Sequence, residues 1–512
     1  MTMQSASREA NMEITVQARP AKTPIDLWSF IAAALLAAFY LATSVYIASR
    51  SHLWYDEITA VLIARLSHWT TIWQVVAHEA TDTMPPVYHM MVGVFIKLFG
   101  HPETAARLPS ALAMTAGLLL IFDCTRRLTD GLHGLVALSL LTCSLLPHYG
   151  HQARSYSIYF MLAALSLWVW IHTSNEKKSS AVAFGVVFFL GVTFHYYFIL
   201  CLVPYAAWEA LNWKPWRLPS QKMIAALLGV CCAFAVWWTP MHAARRFFPS
   251  DVKSLLTIYH LPGIFSQFFP DGVFLLALAM IWIASVGTED SVIALQPMQP
   301  SERVGWLFLV IPLAAFVMAE LKTNVLVVRY VIATLAGPAV ACSVCLWRHF
   351  HKRRLVSVGV FLLLAAFGLA RQVAQTRDPE RFSEVRPETR KVLSLEDTLR
   401  NDGKQFIVVC DHGLQMEARI YSKHPERYAV LVLPDTDIAS RIRPEVVLSR
   451  YYPLEFWSLE DLKKHARETA LIAPGKSDYT RPAFLSALDT LKQAGFQTKI
   501  RFTQPLEVVY LE

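Results

Sequence analysis

From residue 27 to about residue 370 the chain alternates long apolar runs with short polar breaks, and beyond that point its character changes. The first run, Leu27 to about Ala48, is long enough to cross the roughly 30 Å hydrocarbon core of a bilayer. Further runs follow near residues 105–123, 132–149, 156–172, 181–195, 196–211, 222–240, 272–287, 303–319, 325–346 and 355–370, so the pattern predicts about 11 transmembrane helices. Between the first two lies a stretch of different period. Ile58, Leu62, Leu66, Trp69, Trp73 and Val76 recur at helical spacing, with Arg65, Ser67 and His68 off the stripe. This predicts one or two amphipathic helices lying on the membrane surface. Pro85-Pro86 ends them, and the run from Val87 to Phe99 is short for a span and suits an interfacial helix.

In the tail the period shortens. Gln405–Cys410 and Tyr428–Leu433 read as buried strands, and Thr469–Ala473 as another. A helix from about Pro482 to Ala494 and strands near 497–502 and 507–511 complete a small α/β domain. The tail has no phosphate-binding glycine loop, and the chain has no internal repeat.

Composition sharpens this division. Only 17% of the 512 residues are charged and 54% are hydrophobic. Residues 1–370 hold 25 Lys/Arg and 18 Asp/Glu, whereas the 142 residues of 371–512 hold 22 and 21. The first part has membrane composition and the second that of a soluble domain, which excludes a purely soluble enzyme, a disordered protein and a single-span receptor. The net charge of +8 lies almost wholly in the membrane part, so it reflects topology and not nucleic-acid binding. With the N-terminus cytoplasmic and 87–99 not crossing, Arg126-Arg127, Lys177-Lys178, Lys214/Arg217/Lys222 and Arg348/Lys352/Arg353/Arg354 fall on the inside, as basic clusters should. Arg245-Arg246 is the main exception. An odd number of spans then places the tail outside the cytoplasm. Three parts follow: a cytoplasmic segment 1–25, a transmembrane domain 26–370 with a first external loop at about 49–104, and an extracytoplasmic domain 371–512. The eight cysteines form no disulfide framework, and the CxxC of Cys342 and Cys345 lies inside an apolar run and reads as packing.

On the external side, ionisable groups gather at loop and span ends: Asp56, Glu57 and Asp82 in the first loop, then Arg154, His195, Arg245, Arg246, Lys322 and Arg329. Charges at such positions in a membrane protein mark a substrate path. Carboxylates mixed with cations suit group transfer from a phosphorylated lipid. Arg and Lys hold the phosphate oxygens as they leave, and one carboxylate deprotonates the attacking hydroxyl. Asp56 and Glu57 are adjacent and point apart, so a single base and direct displacement predict inversion. Each residue also has a plainer reading. Asp56 suits a helix N-cap, Asp82 a turn before Pro85, Arg154 and Arg329 headgroup contact, Arg245-Arg246 anionic lipid, and His195 packing.

At these residues the chain resembles a family. Trp54-Tyr55-Asp56-Glu57, Asp82-Thr-Met-Pro85-Pro86-Val-Tyr88 and Arg107-Leu-Pro109-Ser110 are similar, in order and spacing, to motifs of polytopic glycosyltransferases of the GT-C fold. These include protein O-mannosyltransferases, lipid A aminoarabinose transferases and rhizobial lipopolysaccharide relatives. Gln152-Ala-Arg154-Ser-Tyr156, His195-Tyr196 and Arg329-Tyr330 match later patterns, and the likeness covers about residues 26–345; Gln152 departs from the Glu frequent in relatives. The resemblance implies an inverting transferase moving a sugar from a polyprenyl phosphate to an extracytoplasmic glycolipid, polysaccharide or protein. Asp56 would be its base, with Glu57 beside it. Asp82, Tyr88, Arg154, Tyr156, His195, Tyr196, Arg245, Arg246, Lys322, Arg329 and Tyr330 would contact donor or substrate. It implies a bacterial-type inner membrane, and Arg alone suffices for the phosphate, so no metal or other cofactor is expected. A transporter or flippase of an anionic substrate and a non-catalytic saccharide-binding envelope protein are the alternatives.

Overall fold

In a computed structural model of the chain, the described residues are 27–173, 178–213, 219–247, 260–269, 272, 298–323, 326–350, 353–379, 387–432, 443–474, 481–493, 495–502 and 506–511. The expected segment 1–25 and nearly all of the span at 272–287 lie outside them.

The membrane part begins with α1 (Leu27–Arg50) and the loop helices α2 (Tyr55–Ala64), α3 (Trp69–Trp73) and α4 (Pro86–Phe99). Next come α5 (Pro102–Leu128), α6 (Gly131–Thr142), α7 (Leu146–Gly150), α8 (Tyr156–His172), α9 (Lys178–Phe194), α10 (Leu202–Leu211), α11 (Gln221–Val236), α12 (Trp238–Phe247) and α13 (His260–Phe268). It closes with α14 (Pro300–Leu307), α15 (Ile311–Met318), α16 (Ala336–Phe350) and α17 (Arg354–Arg377). Among the described residues, Leu27–Arg50, Pro102–Leu128, Pro300–Leu321 and Arg354–Arg377 are long and apolar enough to cross a membrane. The pair Gln221–Val236 and Trp238–Ala244, bent by 74°, makes a fifth, and shorter apolar helices surround them. The predicted span 325–346 is regular only from Ala336, after two 3₁₀ turns at Val328–Tyr330 and Ile332–Leu335.

Helix α5 is the hub, packed against α1, α4, α6 and α8. Small residues set the closest approaches. A Cβ on Gly229 of α11 would collide with the Gly185 carbonyl of α9, and one on Gly337 of α16 with that of Gly305 in α14. With lipid as apolar as the side chains, such close backbone packing holds membrane helices together.

The first loop differs from the sequence expectation. Helix α2 is not a surface helix, because every residue from Glu57 to Ala64 is buried. Its inner side meets α4 and α5, and its outer side is covered by two helices of the tail, α19 (His412–Tyr421) and α20 (Arg443–Leu448). A stripe computed on the first 100 residues alone cannot register that cover.

The tail is an α/β domain. After α18 (Pro387–Asn401) come β1 (Phe406–Val409), α19, β2 (Tyr428–Leu431), α20, β3 (Phe456–Trp457), α21 (Leu459–Lys464), β4 (Thr469–Pro474), α22 (Arg481–Gln493), β5 (Thr498–Phe502) and β6 (Leu506–Leu511). The sheet order is β3-β2-β1-β4-β6-β5, with the first four strands mutually parallel and β6 antiparallel to both of its neighbours, β4 and β5. Successive residues of β1 enter opposite cores: Val408 packs with Phe484 and Leu488, and Ile407 and Val409 pack with Val392 and Leu414. Burial on both faces explains the continuous apolar run of that strand. Strand β3, with two residues, is too short to leave a sequence signal.

Candidate active site

The site is built on the first turn of α2. Trp54 is extended and the helix starts at Tyr55, so Asp56 occupies the second helical position and is not its N-cap. Adjacent helical residues face directions about 100° apart. Here the divergence separates two carboxylates into different environments.

Glu57 turns inward and is fully buried. The Arg107 guanidinium of α5 donates through Nε to Oε1 at 2.8 Å and through Nη2 to Oε2 at 2.5 Å. The Ala153 N–H donates to Oε1 at 2.5 Å and the Trp54 N–H to Oε2 at 3.3 Å. Arg107 also binds the carbonyls of Ala48, Ser51 and His52 at 3.0, 2.7 and 2.8 Å, tying the end of α1 to the start of the loop. A charge this deep survives only when paired and hydrogen-bonded throughout. Glu57 therefore neither lines the cavity nor meets solvent, and its carboxylate serves as an anchor for Arg107 and the Ala153 backbone.

Asp56 turns outward into a cavity of about 80 Å³ shared with Thr59, Thr81, Asp82, Arg154 and Arg329. Its Oδ2 lies 3.8 Å from Arg154 Nη2 and 3.9 Å from Arg329 Nη2. Arg154, on the turn before α8, is buried and held by Asp82, donating through Nη1 at 2.8 Å and Nη2 at 3.3 Å. The same Nη1 reaches the Asp56 carbonyl at 3.3 Å. Arg329 is 30% exposed and lies 5.7–5.9 Å above the rings of Trp54, Tyr156 and Tyr330. One cation is thus tied into the wall, whereas the other stands over an aromatic platform facing the opening.

Burial raises the Asp82 carboxyl, but Arg154, His89 and the Met84 N–H together bring it below the ordinary value of 3.8. A depressed folded value stabilises the protein above the unfolded value and loses that contribution as pH falls through the folded one. Thermal unfolding of the detergent-solubilised protein from about pH 7 to about pH 3 should show an acid loss that Asp82→Asn flattens below about pH 4, from a lower starting stability. An acid slope unchanged by the substitution would refute the assignment.

The structure brings Asp56, Asp82, Arg154, Arg329 and Tyr330 to one cavity. Tyr156 backs it from beneath Arg329. His195 is buried deeper, stacked on Tyr159 at 4.7 Å with Tyr156 at 5.6 Å, and neither ring nitrogen has a partner among the described residues. The hydroxyls of Tyr156 and Tyr196 are likewise buried and, among the described residues, without a partner. Tyr88 lies wholly buried beside the His89 ring and does not line the cavity. Arg245 and Arg246 fall on α12 and Lys322 on a π-helical turn, Ala319–Thr323, but their side chains lie outside the described residues. Among the described residues, no group of three or more His, Cys, Asp or Glu is arranged to hold a metal ion.

Sequence reading missed the tail's part in the site. Pro444 of α20 lines the cavity, and Glu417, Tyr421 and Glu445 bind the residues just before Asp56. Nothing in the tail's sequence marks these residues. Arg107 carried a usable signal, a charge near the head of an apolar helix.

The fold is of the GT-C type. Residues 83–240 match the family model described as dolichyl-phosphate-mannose-protein mannosyltransferase. The structure is similar to that of ArnT from Cupriavidus metallidurans bound to undecaprenyl phosphate, with a TM-score of 0.56, 14% identity, and coverage of 94% of this chain and 97% of that one. It is likewise similar to apo ArnT from the same organism, with a TM-score of 0.56, 13% identity, and coverage of 94% and 98%. No curated protein matches the chain by sequence.

Proposed function

We propose that this chain is an inverting membrane glycosyltransferase that moves a sugar from a polyprenyl phosphate to a hydroxyl of an extracytoplasmic glycolipid, polysaccharide or protein. The observation that carries this reading is the Asp56 carboxylate in an open cavity within 4 Å of two guanidinium groups. The fold shared with ArnT, a relative solved with undecaprenyl phosphate bound, supports the choice of donor.

In this reading the acceptor oxygen attacks the anomeric carbon as its proton passes to Asp56. The bond from that carbon to the phosphate oxygen breaks, and the electron pair leaves with the phosphate. Arg329, partly exposed and paired with Asp56 only at 3.9 Å, meets the phosphate and stabilises the growing negative charge. Arg154, fixed by Asp82, sets the orientation of Asp56 from the other side. One displacement on one base inverts the configuration. The site faces the extracytoplasmic side of an inner membrane with the N-terminus inside, as the distribution of basic loops favours.

The test is native mass spectrometry of the detergent-purified protein with undecaprenyl phosphate. Arg329→Ala should weaken its retention by about tenfold or more, the scale of one charge-assisted hydrogen bond to a phosphate. Failure of the folded wild-type protein to retain undecaprenyl phosphate would overturn the reading.

A further inference from the structure

We infer that the C-terminal domain is a working part of the catalytic centre, in which Glu417 and Glu445 are positioning residues that hold Asp56 through Tyr55. The inference rests on the transferase reading for its kinetic consequence, and on hydrogen bonds alone for its structural one.

Three bonds from the tail grip the two residues that precede and adjoin Asp56. The Tyr55 N–H donates to Glu417 Oε1 at 3.0 Å, and the Tyr55 hydroxyl donates to Glu445 Oε1 at 2.6 Å. The Leu53 N–H donates to the Tyr421 hydroxyl oxygen at 2.5 Å. Both glutamates are fully buried, and Glu417 is itself fixed by the Thr389 hydroxyl at 2.6 Å on its other oxygen. On the far side of Asp56, Glu57 is fixed to α5 and to the Ala153 backbone. Asp56 is thus the one acidic residue of this turn facing the cavity, and each of its chain neighbours is anchored to a different domain.

This placement has a chemical purpose. The first N–H groups of a helix have no partner within the helix, and a carboxylate is a strong acceptor for them. Glu417 takes the Tyr55 N–H at the helix start, which fixes where the turn begins and so where Asp56 points. Glu445 adjoins Pro444, which lines the same cavity, so the segment that holds Tyr55 also forms part of the wall. A base displaced by about 1 Å from its attacking hydroxyl loses on the order of 100-fold in rate. Glu417 and Glu445 bond to Tyr55 and not to Arg329, so their loss falls on turnover more than on donor binding.

The experiment uses the full-length protein and the host's own polyprenyl-phosphate sugars, extracted from membranes and radiolabelled in the sugar. Glu417→Ala should lower kcat by about 10- to 100-fold with donor KM within about twofold. Tyr55→Phe, which removes one hydroxyl and leaves packing intact, should lower kcat in the same sense. Glu417→Gln, which keeps an acceptor oxygen, should restore most of the rate. Arg450→Ala is the control: Arg450 pairs with Glu79 across the same two domains at 2.7 Å, but at the surface, where such pairs contribute little. Its rate should stay within about twofold of wild type. Hydrogen exchange of the amides at 53–57 should quicken in Glu417→Ala and Tyr55→Phe by more than that of the amides of α5.

A wild-type kcat in Glu417→Ala, or a raised KM at unchanged kcat, would overturn the positioning role. Wild-type protein without any transfer would overturn the transferase reading instead. In that event exchange still decides the clamp, which unchanged protection in Glu417→Ala would refute.

Discussion

Asp56→Asn should abolish sugar transfer while the protein still retains undecaprenyl phosphate. A positioned general base contributes on the order of 10² to 10⁴ in rate, or about 3–5 kcal/mol of barrier. The amide keeps the size of the carboxylate and leaves Arg154 held by Asp82, so the cavity keeps its shape. It also removes a negative charge lying 3.9 Å from Arg329. A phosphate that no longer competes with that charge should bind the variant at least as well as wild type. The pair of measurements, transfer rate and retained lipid, thus move in opposite senses. Transfer unchanged in Asp56→Asn would remove Asp56 as the base.

Glu57→Ala should act on stability. It leaves the Arg107 guanidinium buried without its carboxylate, and breaking a buried pair from one side costs about 3–5 kcal/mol. Against a typical total of about 5–15 kcal/mol, that is enough to lower both yield and melting temperature sharply. Arg107→Met should be worse, because Arg107 also satisfies the carbonyls of Ala48, Ser51 and His52. The double variant Glu57→Leu/Arg107→Met should recover part of the loss, since it leaves no uncompensated charge. Thermal unfolding in detergent checks all three. A Glu57→Ala protein as stable as wild type yet devoid of transfer would overturn this anchoring role.

The contrast between these neighbours shows what the sequence could express. Their adjacency on a helix already required that they face apart, and the apolar runs already placed most of the helices, although among the described residues only four, or five with the bent pair, are long and apolar enough to span. Which carboxylate would face inward depended on Arg107, 50 residues away, and on Ala153, 96 residues away. Such distances in sequence leave no local pattern. The five principal strands of the tail were legible from their apolar runs, because burial on both sides of a sheet is a local demand on composition. The cover that α19 and α20 lay over α2 was not, since it joins amphipathic surfaces more than 350 residues apart. Asp82 and Arg154 stood out as charges at loop ends, but only the fold shows that they bind each other.

That distance has a consequence for how the molecule is made. Leu53 and Tyr55 are synthesised 368 and 362 residues before Tyr421 and Glu417, and Tyr55 precedes Glu445 by 390. Domains fold broadly in the order of their synthesis. The loop that carries Asp56 is made early, yet it is among the last segments to acquire its final bonds. A nascent or truncated chain lacking residues 417–445 has its spans and its arginines but no fixed Asp56. In the proposed transferase reading, competence for chemistry then waits on the synthesis of Glu445.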